Sequence, residues 1–245
     1  MLFILFAWTN QGTYAFGEVK VKQYETGGIY EGEFLNGKQH GQGTYRLPNG
    51  YVYEGSWIDG KIEGKGKAKY PDGAVYEGDF KNGQPSGSGS IVFPDGSTYA
   101  GGWLNGNFEG DGLIIYTNGI RFEGTFRAGL QDGYGKMVSP NGYSYEGDWK
   151  AGEKQGFGKI VYTDNAVYEG QVRKGIRFGQ GTLTMSNGII FEGSWSDGNI
   201  SGQGKITQPN GDSYDGDLID GKRNGMGVTT YSNGDSYSGY FENDK

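Results

Sequence analysis

From Tyr30 onward, bulky and polar positions alternate in short bursts that return every 23 residues, starting at Tyr30, Tyr53, Tyr76, Tyr99, Phe122, Tyr145, Tyr168, Phe191, Tyr214 and Tyr237. No insertion or deletion breaks the spacing, so the chain carries nine full repeats and a truncated tenth. A fixed period of this length is the mark of a repeat architecture and has to be read before any local motif. Within a repeat, numbered from its first aromatic, position 1 is always Tyr or Phe, position 3 is always glycine, and position 5 is Phe or Trp in eight of ten copies, with Val172 and Leu218 elsewhere. Positions 2 and 4 between them are polar in most copies, and position 2 is an acid in eight of ten. That period of two predicts a strand with one buried face, on which glycine leaves room for a ring from the neighbouring strand.

Positions 14 to 18, as in "GTYRL" and "GLIIY", predict a second strand with a mostly apolar position 16. Positions 7 to 13, often opened by Asn-Gly or Asp-Gly, read as the longer loop between the two strands. Positions 19 to 21 read Pro-Asn/Asp-Gly or a close variant. Proline presets φ, Asn or Asp bonds its own backbone, and the glycine takes the left-handed residue of a tight turn. The turn glycines are Gly50, Gly73, Gly96, Gly119, Gly142, Gly188, Gly211 and Gly234; Asn165 replaces the ninth, and asparagine is the residue that best tolerates positive φ. The expected fold is all-β, an elongated, twisted, single antiparallel sheet of tandem 23-residue hairpins. Each repeat is too small to bury its rings alone, so neighbours share one aromatic spine.

Composition changes this picture little. Hydrophobic residues make up only 34%, but 19 Tyr, 13 Phe and 5 Trp supply bulk, and 45 of the 50 glycines fall at the fixed repeat positions. An aromatic-rich chain of this kind is not disordered. The net charge of −7 excludes nonspecific nucleic-acid binding, which needs cations against phosphates, and disfavours broad adhesion to anionic membrane. With no cysteine there is neither a disulfide nor a thiolate metal site. The N-terminus opens "MLFILFAW", too short to span a bilayer. It resembles the apolar core of a signal peptide, with Thr13–Ala15 as a small-residue cleavage site, although the customary positive residues before it are missing. Residues 1–29 thus read as an apolar segment, an export signal or a capping strand, ahead of the array over 30–245. Exported, periplasmic or membrane-associated placement is favoured over cytoplasmic.

"YEGEFLNGKQHGQGTYRLPNG" resembles the MORN repeat, the membrane occupation and recognition nexus motif, with its Tyr-Glu-Gly, aromatic, Asn-Gly, Gly-x-Gly and closing Pro-Asp-Gly turn. The resemblance covers residues 30 to 245. It implies an all-β scaffold that mediates interaction, in some members with phospholipids. The family's loop is often basic at positions 9 and 10. In this chain both are basic only at Lys222–Arg223, the one lipid-binding candidate, which weakens the phospholipid reading.

Other chemistry is poorly supported. The stretch "YEGSWIDGKIEGKGKAKYPDGAV" holds a glycine-lysine run, but a phosphate loop needs a helix whose N-terminus faces the anion, and no helical periodicity follows. His40 is the only histidine, and no acid, base and nucleophile converge. The residues imply no enzyme, no metal and no cofactor. Carbohydrate binding, as in aromatic-glycine hairpin repeats that cage choline, is a minor alternative, set back by the lack of Trp-rich repeats. The favoured function is a protein-binding scaffold at a membrane or envelope. Weak phospholipid contact is the alternative, and the edge strands offer end-to-end self-association.

A longer rhythm suggests where partners bind. Trp57, Trp103, Trp149 and Trp195 lie 46 residues apart, and Ile62, Phe108 and Ile200 occupy position 10 in three of those four repeats. Packing is the favoured reading for the tryptophans, with a row of anchors for an extended partner as the other. The position-10 residues, placed in a loop, are expected to line an exposed edge.

Overall fold

The computed structural model describes residues 18–245; the apolar run and Thr13–Ala15 lie outside the described residues. Twenty strands, from β1 (Glu18–Gln23) to β20 (Ser236–Phe241), form an open antiparallel sheet, and no helix occurs among the described residues. By compactness the chain divides at Gln84 into two units, 1–84 and 85–245. In each unit the strands pair in chain order, as β1 does with β2 (Ile29–Leu35) and β2 with β3 (Lys38–Arg46) in the first. In the second, β8 (Thr98–Leu104), β9 (Asn107–Ile115), β10 (Arg121–Arg127) and β11 (Leu130–Val138) pair likewise. The strand β1 covers the edge of β2, with Val19 and Val21 exposed.

The loop expected over positions 7 to 13 is far shorter. Position 7 is left-handed in every repeat, as at Asn36 (φ 52°) and Asn82 (φ 49°), and the residue after it, glycine in all nine full repeats and Asp244 in the tenth, is at positive φ as well. Two successive positive-φ residues make the two-residue turn whose twist matches the flanking strands. The second strand therefore restarts at position 9 and runs to position 17, as in Lys61–Lys69. The glycine at position 12, which includes Gly64 at φ +89°, sits inside that strand where the register shifts between Gly55 and Trp57. It is a bulge, with extra residues opposite position 4, rather than part of a loop. The closing turns are as expected: Gly50, Gly73, Gly96, Gly119, Gly142, Gly188, Gly211 and Gly234 have φ between 80° and 97°, and Asn165 has φ 66°.

The core lies on one face of the sheet and is closed by the chain's own rings. Position-1 tyrosines such as Tyr53 and Tyr145 are 0% exposed. Each lies along the sheet over the glycines at positions 3 and 14. A Cβ at Gly158 would stand 2.5 Å from the Tyr145 ring, closer than real contacts allow. At the far end the phenol donates to the position-4 carbonyl, Tyr53 to Ser56 at 3.0 Å and Tyr145 to Asp148 at 2.8 Å. Position-5 rings then meet the position-1 rings edge to face, Tyr53 against Trp57 at 5.6 Å and against Phe80 of the next repeat at 5.0 Å. That is the geometry the ring quadrupole favours. Each tryptophan at position 5 also donates its indole N–H to the position-14 carbonyl of the preceding repeat, Trp57 to Gly43 at 3.3 Å and Trp195 to Gly181 at 2.9 Å.

Successive repeats are tied twice more at the hairpin turns. The N–H of the position-8 glycine donates to the position-10 carbonyl one repeat earlier, as Gly129 does to Phe108 at 3.0 Å. Where position 11 is an acid, its carboxylate also accepts the position-7 N–H of the next repeat, as Glu63 does from Asn82 at 2.8 Å, Glu109 from Ala128 at 3.0 Å and Asp132 from Ala151 at 3.2 Å.

Candidate interaction face

Because the rings close one face, the opposite face of the sheet is left to side chains from positions 2, 4, 13 and 15. Register sets them in columns across the strands: position 15 of one strand lies beside position 2 of the next, as Lys136 does beside Glu146. The result is a ladder of ion pairs, Lys67–Glu77 at 3.4 Å, Lys136–Glu146 at 2.9 Å and Lys159–Glu169 at 2.6 Å. These side chains are largely solvated, so each pair adds little stability and mainly sets the character of the surface. Position 4 has a local duty. Its acid or amide accepts the N–H of position 13, Asp148 from Phe157 at 2.9 Å and Glu33 from Gln42 at 2.9 Å, which holds the bulge.

Position 13 points outward, and in two adjacent repeats it is aromatic. Tyr134 is 60% exposed and Phe157 62%. The Tyr134 ring is held upright by its phenol, which donates to Glu146 at 3.1 Å. That bond pushes the Tyr134 phenol up, while hydrogen bonds from Lys136 and Tyr134 hold the Glu146 carboxyl below the ordinary glutamate range. Sequence reasoning missed both rings, because a single aromatic at an otherwise polar position carries no periodic signal. The exposure follows only once the bulge fixes which way position 13 faces.

The residues expected to bind partners lie on the closed face. Trp57, Trp103, Trp149 and Trp195 are all buried, and each indole N–H is bonded to a glycine carbonyl of the preceding repeat. Position 10 is on a strand, directly opposite position 5: Ile62 faces Trp57 and Ile200 faces Trp195. Ile200 is 3% exposed. Phe108 stacks on Tyr99 at 3.7 Å and meets Trp103 at 4.9 Å and Phe126 at 5.7 Å. The exposed loop edge expected for these three residues is corrected: the two-residue turn returns the chain to the sheet before position 10, and the side chain falls onto the spine. In three other repeats position 10 is a cation, Lys154, Arg177 or Arg223, and each lies over aromatic rings. Lys154 lies 4.5 Å from the Tyr143 ring centroid and 5.9 Å from that of Trp149, with burial holding its ammonium below the ordinary lysine range.

Lys222 and Arg223 do not act as a pair. Lys222 is exposed, while the Arg223 guanidinium lies 3.4 Å from Asp244 and 5.1 Å from the Phe241 ring centroid. His40 is on β3, with Nδ1 4.0 Å from an Asp59 carboxylate oxygen. Among the described residues no three acids or histidines converge on a point that could hold a metal ion, and none forms a helix long and apolar enough to cross a membrane.

Position 2 loses its acid in one full repeat, the one over 99–121. There position 2 is Ala100, position 4 is Gly102 and position 15 is Leu113, with Ala100 directly opposite Leu113. An open trough of about 590 Å³ results, lined by Ala100, Asp111, Leu113, Glu123, Tyr134 and Lys136 over the backbones of Gly112, Gly124 and Gly135.

Comparison with known proteins places the repeats. The family profile described as "MORN repeat" matches residues 30–50, 53–75, 76–98, 99–121, 122–142, 145–167, 168–190, 191–213 and 214–236. The comparison with curated proteins found no match. Among solved structures, the wild-type TCP10 domain of Danio rerio CPAP in complex with a peptide of STIL is similar at 14% identity and a TM-score of 0.48, over 91% of this chain and 100% of that one. The SAS-4 TCP domain of Drosophila melanogaster, in complex with a proline-rich motif of Ana2, has 14% identity and a TM-score of 0.37, over 76% and 94%. A virginiamycin B lyase of Staphylococcus aureus has 11% identity and a TM-score of 0.17, over 92% and 70%.

Proposed function

The chain belongs to the MORN repeat family, and on that premise we propose that it is a non-enzymatic scaffold whose open sheet face binds protein partners. The observation that carries this reading is the division of labour between the faces. The position-1 and position-5 rings pack on their own face, so the opposite face carries no part of the aromatic core and presents charged and polar side chains with exposed Tyr134 and Phe157 among them. Exposed aromatics rimmed by charge are the composition of protein interaction surfaces.

Phospholipid binding is the second reading. It has less support, because Arg223 is occupied by Asp244 and the chain is acidic overall. Flotation with phosphatidylserine vesicles at physiological salt separates the two. The scaffold reading expects the protein to stay in the dense fractions, and to form crosslinks to partner proteins in cells from a photo-reactive residue at Phe157 but not from one at Phe80. Salt-resistant flotation together with no crosslink from Phe157 would transfer the function to the lipid reading.

A further inference from the structure

We infer that the trough in the repeat over 99–121 is the docking site for an extended protein segment that places an apolar side chain beside a lysine or arginine. The inference deepens the scaffold reading and rests on it. Three features of the trough carry it.

First, its walls are apolar at two positions that are mostly polar elsewhere: position 2 is an acid in every other full repeat, and position 15 is lysine, serine or threonine in all of them but the last, which has Val228. Ala100 and Leu113 stand opposite each other at the two positions that hold Glu54 and Lys67, or Glu146 and Lys159, in other repeats. Nothing in the spine requires this, since both side chains face away from it. Second, the floor is a lane of glycines in register on four successive strands: Gly101 faces Gly112, Gly112 faces Gly124, and Gly124 faces Gly135. With strands ~4.8 Å apart the lane crosses about 14 Å, the length of about four extended residues. The fixed Tyr134 ring forms one wall. Third, the acids around the trough are not equivalent. Glu123 lies 3.5 Å from Arg121, and Glu146 lies 2.9 Å from Lys136. Asp111, which lines the trough and is exposed, has no ion pair among the described residues. A partner's cation set against Asp111, with its aliphatic stem or an apolar neighbour between Leu113 and Tyr134, satisfies both the charge and the apolar walls.

The test is selection of a random twelve-residue peptide library on the full chain, with the affinity of the selected peptides measured by fluorescence anisotropy. Two variants are compared with the parent. Ala100→Glu with Leu113→Lys installs the pair that other repeats carry at these positions, as Glu54 with Lys67 and Glu146 with Lys159 do, and is expected to keep the fold. Asp111→Lys reverses the single free charge. Selected peptides are expected to carry an apolar residue beside Lys or Arg, to bind the double variant at least tenfold more weakly, and to give way to acidic peptides when selection is repeated on Asp111→Lys. Peptides that bind the double variant within twofold of the parent, or the same basic peptides recovered on Asp111→Lys, overturn the trough and leave the scaffold reading standing. A library that yields no binder overturns both.

Discussion

At the scale of the residue, the protein rests on one contact made again and again, a ring laid flat over two glycines. It explains why glycine occupies two kinds of site that fail for different reasons. Gly142 is at φ +91° with open space around it, so a side chain there meets only backbone strain. Gly158 has no positive φ, but its Cβ would collide with Tyr145. Gly158→Ala is expected to destabilise by roughly 1–3 kcal/mol through overpacking. Gly142→Ala should cost about 1 kcal/mol from the left-handed backbone. Chemical denaturation of the single variants and of each paired with Tyr145→Leu checks this. Gly158→Ala should couple to Tyr145→Leu by more than about 0.5 kcal/mol, and Gly142→Ala should not. The glycines were legible as punctuation in the text of the repeat. Which of them served turns and which served rings was not, because a glycine needed for φ and a glycine needed for space look the same in sequence.

At the scale of the element, the hairpin was legible and its middle was not. Asn-Gly at positions 7 and 8 already names the turn in repeats such as Asn82–Gly83, but the polar run through position 13 resembles a loop. The structure turns that run into strand because a bulge glycine and the position-4 acid absorb the extra residues. With that run in strand, Ile62, Phe108 and Ile200 lie on the spine side of the sheet, Ile200 buried, and Tyr134 and Phe157 face outward. The turn also offers a test. Ala128 takes φ 49° where Asn36, Asn82 and Asn105 take nearly the same value. Asparagine accommodates the left-handed region better than alanine, and the N–H bonded to Glu109 is kept. Ala128→Asn should therefore raise stability by about 0.5–1 kcal/mol, seen as a higher denaturation midpoint with an unchanged slope. A lower midpoint would show that the turn is not strained at this residue.

At the scale of the whole molecule, stability is shared among many phenols that must stay neutral. Burial pushes Tyr30, Tyr51, Tyr99 and Tyr168 each up to about 12, from an ordinary value of 10.0. A group with a raised folded pKa gives its stability in full below the unfolded value and loses it as pH climbs through the folded one. The melting temperature should thus be flat on the neutral side of pH 10 and fall steeply from about pH 10 to about pH 12, with several tyrosines acting together. A phenolate absorbance that appears well before unfolding would contradict the closed spine. The central claim is that the position-1 tyrosines and position-5 tryptophans pack on one face of the sheet and the other face is left for a partner. Hydroxyl-radical footprinting of the tyrosines and phenylalanines, with and without a library-selected peptide, tests it most directly. The account predicts that Tyr53, Tyr76 and Tyr145 stay unlabelled in both states, and that Tyr134 and Phe157 label strongly in the free protein, with Tyr134 protected on binding. Labelling of the spine tyrosines at the level of Tyr134, or a bound peptide that leaves Tyr134 as reactive as before, would contradict it.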